Sequence, residues 1–136
     1  MKLLILLLLP TLAFANHVHV DRVVSVYDGD TFRADIADYP AIIGINVPIR
    51  VSGIDAPEIR GKCSMEKKLA YKARDAARAF LSGGDIVLLN IERGKYFRLV
   101  ADVEVNGHSL SQHLIGQGLA VPYDGKTKTH RWCGRF

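Results

Sequence analysis

Three acidic residues, Asp30, Asp55 and Glu58, stand in breaks beyond strand-like stretches, and two arginines, Arg50 and Arg98, stand inside such stretches. Carboxylates at a strand-to-loop junction are well held and still reached by water. Oxygen-only ligation from Asp and Glu suits a hard cation such as Ca²⁺ or Mg²⁺. An arginine offers a planar fork of donors that fits a phosphate. Two forks beside a bound cation could neutralise the charge that builds on a phosphoryl group in a transition state. Each feature alone has a plainer explanation. Asp28-Gly29-Asp30 makes a good hairpin turn, and an arginine in an apolar strand commonly snorkels or pairs with a surface carboxylate. Zinc spacing is absent: His17, His19, His108, His113 and His130 form no H-x₃₋₅-H pair with cysteines nearby.

The elements that must hold these residues can be read from periodicity. Val18 to Val26 is β-branched and alternating, a strand. The Asp-Gly turn returns it as a second strand, Thr31 to Ile36, and residues 37–46 read as loop, broken by Pro40 and Gly44. Val47 to Ile54 is a third strand, ended by Asp55-Ala56-Pro57-Glu58, because Pro57 lacks a donor. Over residues 64–81 the period becomes helical, with Leu69, Ala73, Ala76 and Phe80 on one face and Lys67, Lys68, Lys72, Arg74 and Arg78 elsewhere. Ser82-Gly83-Gly84 ends that helix. Asp85 to Ile91 and Arg98 to Val105 are further strands, and Ser109 to Gln117 is a short helix with Leu110, Leu114 and Ile115 inward. The fold expected is α+β and mainly β: a five-stranded OB-type Greek-key barrel, with one helix inserted after the third strand and a short second helix. Small α+β domains of other kinds share the pattern.

The first fifteen residues stand apart. Met1-Lys2, an apolar run from Leu3 to Leu9 and the exit Ala13-Phe14-Ala15 have the form of a secretory signal cut after Ala15. The run is shorter than the roughly 20 residues a membrane span needs. The expectation is an exported single domain over residues 16–136, periplasmic or secreted, with no lasting membrane association. The formal charge of +4 falls to +3 when Lys2 leaves, a mild basic excess that suits a polyanion without requiring one. Two cysteines, Cys63 and Cys133, in an exported chain suggest a disulfide; free thiols or a bridge to another chain are the alternatives. Nothing in the sequence demands more than a monomer.

Four blocks, in order, resemble the thermonuclease family typified by staphylococcal nuclease: Val26-Tyr27-Asp28-Gly29-Asp30-Thr31, Ile49 to Glu58, Lys95 to Ala101, and Gly116-Gln117-Gly118-Leu119-Ala120. The resemblance spans nearly the whole chain after the signal. It implies that Asp30, Asp55 and the backbone carbonyl of Ala56 hold Ca²⁺, with Asp28 supporting the ligands from behind. It implies that Glu58 acts on the attacking water as general base, and that Arg50 and Arg98 hold the phosphate. Tyr96 and Tyr123 would contact the nucleotide. DNA and RNA are the implied substrates, cut with little sequence preference. Two departures stand out: Phe97 occupies a position that is often glycine in the family, and the family's C-terminal helix has no evident counterpart, so a Cys63–Cys133 bond is expected to secure the tail. A non-catalytic OB module that binds nucleic acid and a calcium-stabilised extracellular domain are the rival functions. Neither needs Glu58 beside two arginines.

Overall fold

The computed structural model describes residues 16–134; the expected signal segment lies outside them. In chain order the strands are β1 (His17–Val20), β2 (Arg22–Asp28), β3 (Thr31–Asp35), β4 (Val47–Val51), β5 (Ile54–Asp55), β6 (Ile86–Arg93), β7 (Leu99–Val105), β8 (His108–Ser109) and β9 (Val121–Pro122). The helices are α1 (Ala41–Gly44), α2 (Ser64–Leu81) and α3 (Leu110–Gly116).

The main sheet runs β1-β6-β7-β4-β3-β2. β1 and β2 are separated only by Asp21, so they are two halves of the first expected strand. The first half pairs antiparallel with β6, from His17 opposite Leu89 to Val20 opposite Ile86. The second half pairs antiparallel with β3. One bent strand therefore joins both edges of the sheet and closes it into a five-stranded barrel, which leaves little open edge. Among the described residues, the one parallel pairing is β4 with β7, Ile49 opposite Leu99. The bend was not expected, because apolar alternation continues through Asp21. At the bend the Asp21 amide donates to the Asp35 carbonyl at 2.9 Å.

Inward residues of the strands fill the barrel. Phe32, Ile49, Val51, Leu88 and Val103 are fully buried, each contributing about 1.5–3 kcal/mol relative to exposure, and Leu110 and Leu114 of α3 cap them. Three expectations need correction. Residues 37–46 contain α1 rather than only loop, because the Pro40 carbonyl accepts from the amides of both Ile43 and Gly44. Here the chain folds back on itself, and a Cβ on Gly44 would lie 2.5 Å from the Ile36 carbonyl oxygen. The face α2 buries is Ala70, Ala73, Ala77 and Leu81, about one residue round from the expected stripe; Leu69, Ala76 and Phe80 flank it, half-buried. Ile115 points outward from α3, 37% exposed.

Candidate functional site

The site begins at the β2–β3 turn. Gly29 lets that turn sit directly on α2: a Cβ there would lie 2.9 Å from the Ala73 Cβ and 3.0 Å from the Ala56 Cβ. Small residues on α2 and at position 56 thus pull the turn inward and bury its carboxylates. Asp28 accepts from the Asp30 amide at 3.2 Å. Asp30 Oδ2 accepts from the Ala56 amide at 2.8 Å, which brings the first turn against the loop after β5. Its other oxygen accepts from the Thr31 hydroxyl at 3.0 Å. Among the described residues, the buried polar or charged ones are Asp28, Asp30 and Asp55. Such a cluster is costly without positive charge. Burial first, and then the charge of Asp30 and a hydrogen bond with it, push the Asp28 carboxyl up to about 8.

Part of that charge comes from Arg50 on β4, only 12% exposed at its side chain. Its Nη1 lies 3.0 Å from Asp30 Oδ2 and donates to the Val51 carbonyl at 3.1 Å, while Nη2 donates to the Ile54 carbonyl at 2.9 Å. These bonds fix the guanidinium and leave Nε and one Nη2 proton for a ligand. Of the two readings open for Arg50, a carboxylate partner and a phosphate fork, the structure shows the first with Asp30 and leaves part of the fork for the second.

Asp55 is held from the opposite side, where β5 pairs with β9 and Asp55 stands opposite Val121. The tail that follows brings Lys128 over the site. Lys128 Nζ lies 2.7 Å from Asp55 Oδ1 and 3.1 Å from Glu58 Oε1. Lys128 donates a hydrogen bond to Glu58, whereas Asp55 Oδ1 stays buried without a hydrogen-bond partner among the described residues and meets Lys128 as an ion pair. Burial opposes the charge on Lys128, but its ionic contacts with Asp55 and Glu58 outweigh it and raise its pKa above the usual lysine value. Nothing in the sequence singles out a lysine in a polar tail.

Glu58 is exposed, and its backbone is positioned by Glu66, a residue the sequence reading passed over. Glu66 accepts from the amides of Glu58 at 3.2 Å and Lys62 at 3.0 Å. Glu66 is the third residue of α2, and Cys63 caps that helix, its sulfur accepting from the Glu66 amide at 3.4 Å. A glutamate three residues past a cap is a readable helix-start signal. A disulfide joins Cys63 to Cys133, with Cα atoms 6.0 Å apart, and fastens the tail beside this loop.

Arg98 follows a 3-10 turn, Lys95–Phe97, in which both Tyr96 and Phe97 have positive φ, 58° and 57°. Left-handed backbone at Phe97 is the conformation a glycine would take without strain. The Arg98 Nε is buried with no hydrogen-bond partner among the described residues. A cleft of about 1030 Å³ joins these parts: its wall includes Asp28, Asp30, Arg50, Glu58, Arg98, Tyr123 and Lys128. Asp55 lies just behind it, in contact with Lys128. Tyr123 is tied to the wall, its amide donating to the Gly53 carbonyl and its hydroxyl to the Lys126 carbonyl, both at 2.9 Å. Tyr96 is 89% exposed and stands outside the wall, so it is the one expected site residue set apart from the rest.

A family model described as staphylococcal nuclease homologue matches residues 48–132, which carry Arg50, Asp55, Glu58 and Arg98. The chain belongs to the staphylococcal nuclease homologue family. Among curated relatives, a probable endonuclease, LCL3, of Pyricularia oryzae is 28% identical over 125 residues, covering 77% of this chain and 49% of the relative. Staphylococcal-like nuclease CAN1 of Arabidopsis thaliana is 25% identical over 122 residues, covering 86% of this chain and 35% of the relative. The chain thus spans about half the length of the first and about a third of the second. Asp28 and Asp30 precede the region the family model matches; they join the nuclease-like site through the Asp30–Ala56 contact. The residues present fit a hard cation. Asp30 and Asp55 offer carboxylate oxygens, Ala56 a carbonyl, and Asp55 Oδ1 is a buried acceptor without a donor. Cys63, Glu66 and Cys133 also cluster, but the two sulfurs are bonded to each other and leave no thiolate for a metal.

Proposed function

We propose that the protein is an exported, Ca²⁺-dependent nuclease that hydrolyses phosphodiester bonds of DNA and RNA with little sequence preference. The observation that carries this reading is the convergence of Asp30, Arg50, Glu58 and Arg98 on one cleft, where Arg98 keeps a buried Nε without a hydrogen-bond partner among the described residues. A cation held by Asp30, Asp55 and the Ala56 carbonyl would supply polarisation of a phosphate oxygen and acidify a nearby water.

The chain's own groups do the rest. Glu58, exposed at the cleft, accepts a proton from the attacking water. Arg98 donates through Nε to a phosphoryl oxygen, so a donor buried at a cost gains its partner when substrate arrives. Arg50, already braced by three contacts, presents its remaining donors with little further loss of freedom. Lys95, Lys126 and Arg60 along the wall suit a phosphate backbone, and contacts of that kind carry no base information. Tyr96, exposed and next in the chain to the wall residue Lys95, is free to stack on an unpaired base. The disulfide supports export, since such bonds persist in oxidising compartments; amino-terminal sequencing of the natural product should begin at Asn16.

Glu58→Gln and Arg98→Lys test the catalytic reading. The amide cannot take the proton, and lysine loses the Nε donor and the fork, so kcat should fall at least about 10²-fold in each. Glu58→Gln should keep its affinity for nucleic acid. A glutamine variant that turns over near the wild-type rate removes Glu58 as base. A wild-type protein that binds nucleic acid without cutting it would be a binding module.

A further inference from the structure

We propose that Lys128 is an internal counter-cation that competes with a divalent metal for Asp55 while pairing with Glu58, and that the tail fastened by the Cys63–Cys133 bond holds it in place. The inference rests on the metal-binding part of the proposed function, not on the hydrolysis.

The geometry is specific. The ammonium nitrogen stands 2.7 Å from a buried carboxylate oxygen and 3.1 Å from the carboxylate expected to act as base. Among the described residues the buried oxygen has no hydrogen-bond partner, and the ammonium is the cation in ion-pair contact with it. A divalent cation that takes Asp55 Oδ1 must displace that ammonium or tolerate it as a like charge at close range. Either event lowers metal affinity. Lysine suits the part, because a compact charge on a flexible stem can swing away where a braced guanidinium cannot. Its side chain is 44% exposed, so a route to solvent is open.

The tail is held on both sides of Lys128. Upstream, β9 pairs with β5, the Tyr123 amide bonds the Gly53 carbonyl, and Asp124 accepts from the Lys126 amide at 2.9 Å. Downstream, Cys133 is bonded to Cys63 at the start of α2. A segment closed at both ends keeps its side chains at high local concentration. Lys128 is thus a positioning residue: it sets where Glu58 points and how much metal the site needs.

Calorimetric titration of Ca²⁺ into the purified, disulfide-bonded protein without nucleic acid reads this directly. Lys128→Met should bind Ca²⁺ at least about tenfold more tightly, while Lys128→Arg, which keeps the charge, should stay within about threefold of wild type. Cys63→Ser/Cys133→Ser should tighten binding by less than Lys128→Met, and adding Lys128→Met to it should recover the full effect. Should Lys128→Met not fold, Lys128→Gln carries the same expectation. Loss of a merely structural contact would not tighten binding. Unchanged or weaker Ca²⁺ binding in the charge-removing variant overturns the inference. Absence of Ca²⁺ binding in every variant overturns it together with the metal reading. Tighter binding in a protein that proves unable to cut nucleic acid would leave it standing.

Discussion

Replacing both cysteines, Cys63→Ser/Cys133→Ser, gives the sharpest stability prediction. The bond spans a sequence separation of 70 residues. In the chain-entropy model, removing a cross-link of that span costs about 4 kcal/mol at room temperature. One gain offsets part of it. Cys63 caps α2 through a long 3.4 Å sulfur contact, and serine is a better cap, worth up to about 1 kcal/mol. The net loss is then about 3 kcal/mol. For a domain of this size each kcal/mol moves Tm by about 4 °C, so Tm should drop by roughly 12 °C. Thermal unfolding followed by circular dichroism measures it, with oxidised and reduced wild type beside the double variant. Reduced wild type should fall near the variant. A double variant within about 0.5 kcal/mol of oxidised wild type would refute the reasoning, because the tail would then be secured by β9 and its hydrogen bonds alone.

Two further outcomes follow from the site. Phe97 is 80% exposed at φ 57°, so Phe97→Gly loses little packing and should stay within about 0.5 kcal/mol of wild type, whereas β-branched Phe97→Val should lose about 1–2 kcal/mol; a valine variant as stable as the glycine variant in chemical denaturation contradicts the strained turn. Asp28, raised from 3.8 to about 8 by burial and by Asp30, favours the neutral form in the fold. Its contribution is full below pH 3.8 and is lost as pH rises through about 8, so in excess chelator Tm should decline over that window. Asp28→Asn should flatten the decline, and an equally steep decline in that variant would assign it to another group.

Barrel strands were legible because alternation marks a half-buried strand wherever the core is continuous. The bend at Asp21 was not, since the apolar pattern of β1 and β2 runs through it and only pairing with β6 and β3 divides it. α1 was missed because a four-residue helix has no period to read. The face of α2 was displaced because size misleads there: the turn at Gly29 approaches so closely that alanine is buried and Leu69 and Phe80 are pushed to the flanks. Within the site, residue type marks Asp30, Arg50, Glu58 and Arg98 as candidates, but each alone has a plainer explanation and their roles come from the family resemblance of the surrounding blocks; the structure sets the four along one cleft. Lys128 was not, since its contact with Asp55 crosses 73 residues and depends on the pairing of β5 with β9. Glu66 left a trace, three residues after the cap, that a search for helix starts would have caught.

On the proposed function, these residues hydrolyse phosphodiester bonds with the help of a cation at Asp30 and Asp55. Conversion of supercoiled plasmid to nicked circles by the purified protein tests it most directly, in Ca²⁺, in Mg²⁺ and in excess chelator. Nicking should be fast in Ca²⁺, poor in Mg²⁺, which demands tighter octahedral geometry, and absent with chelator. Full nicking in excess chelator, or intact plasmid in Ca²⁺, would contradict it.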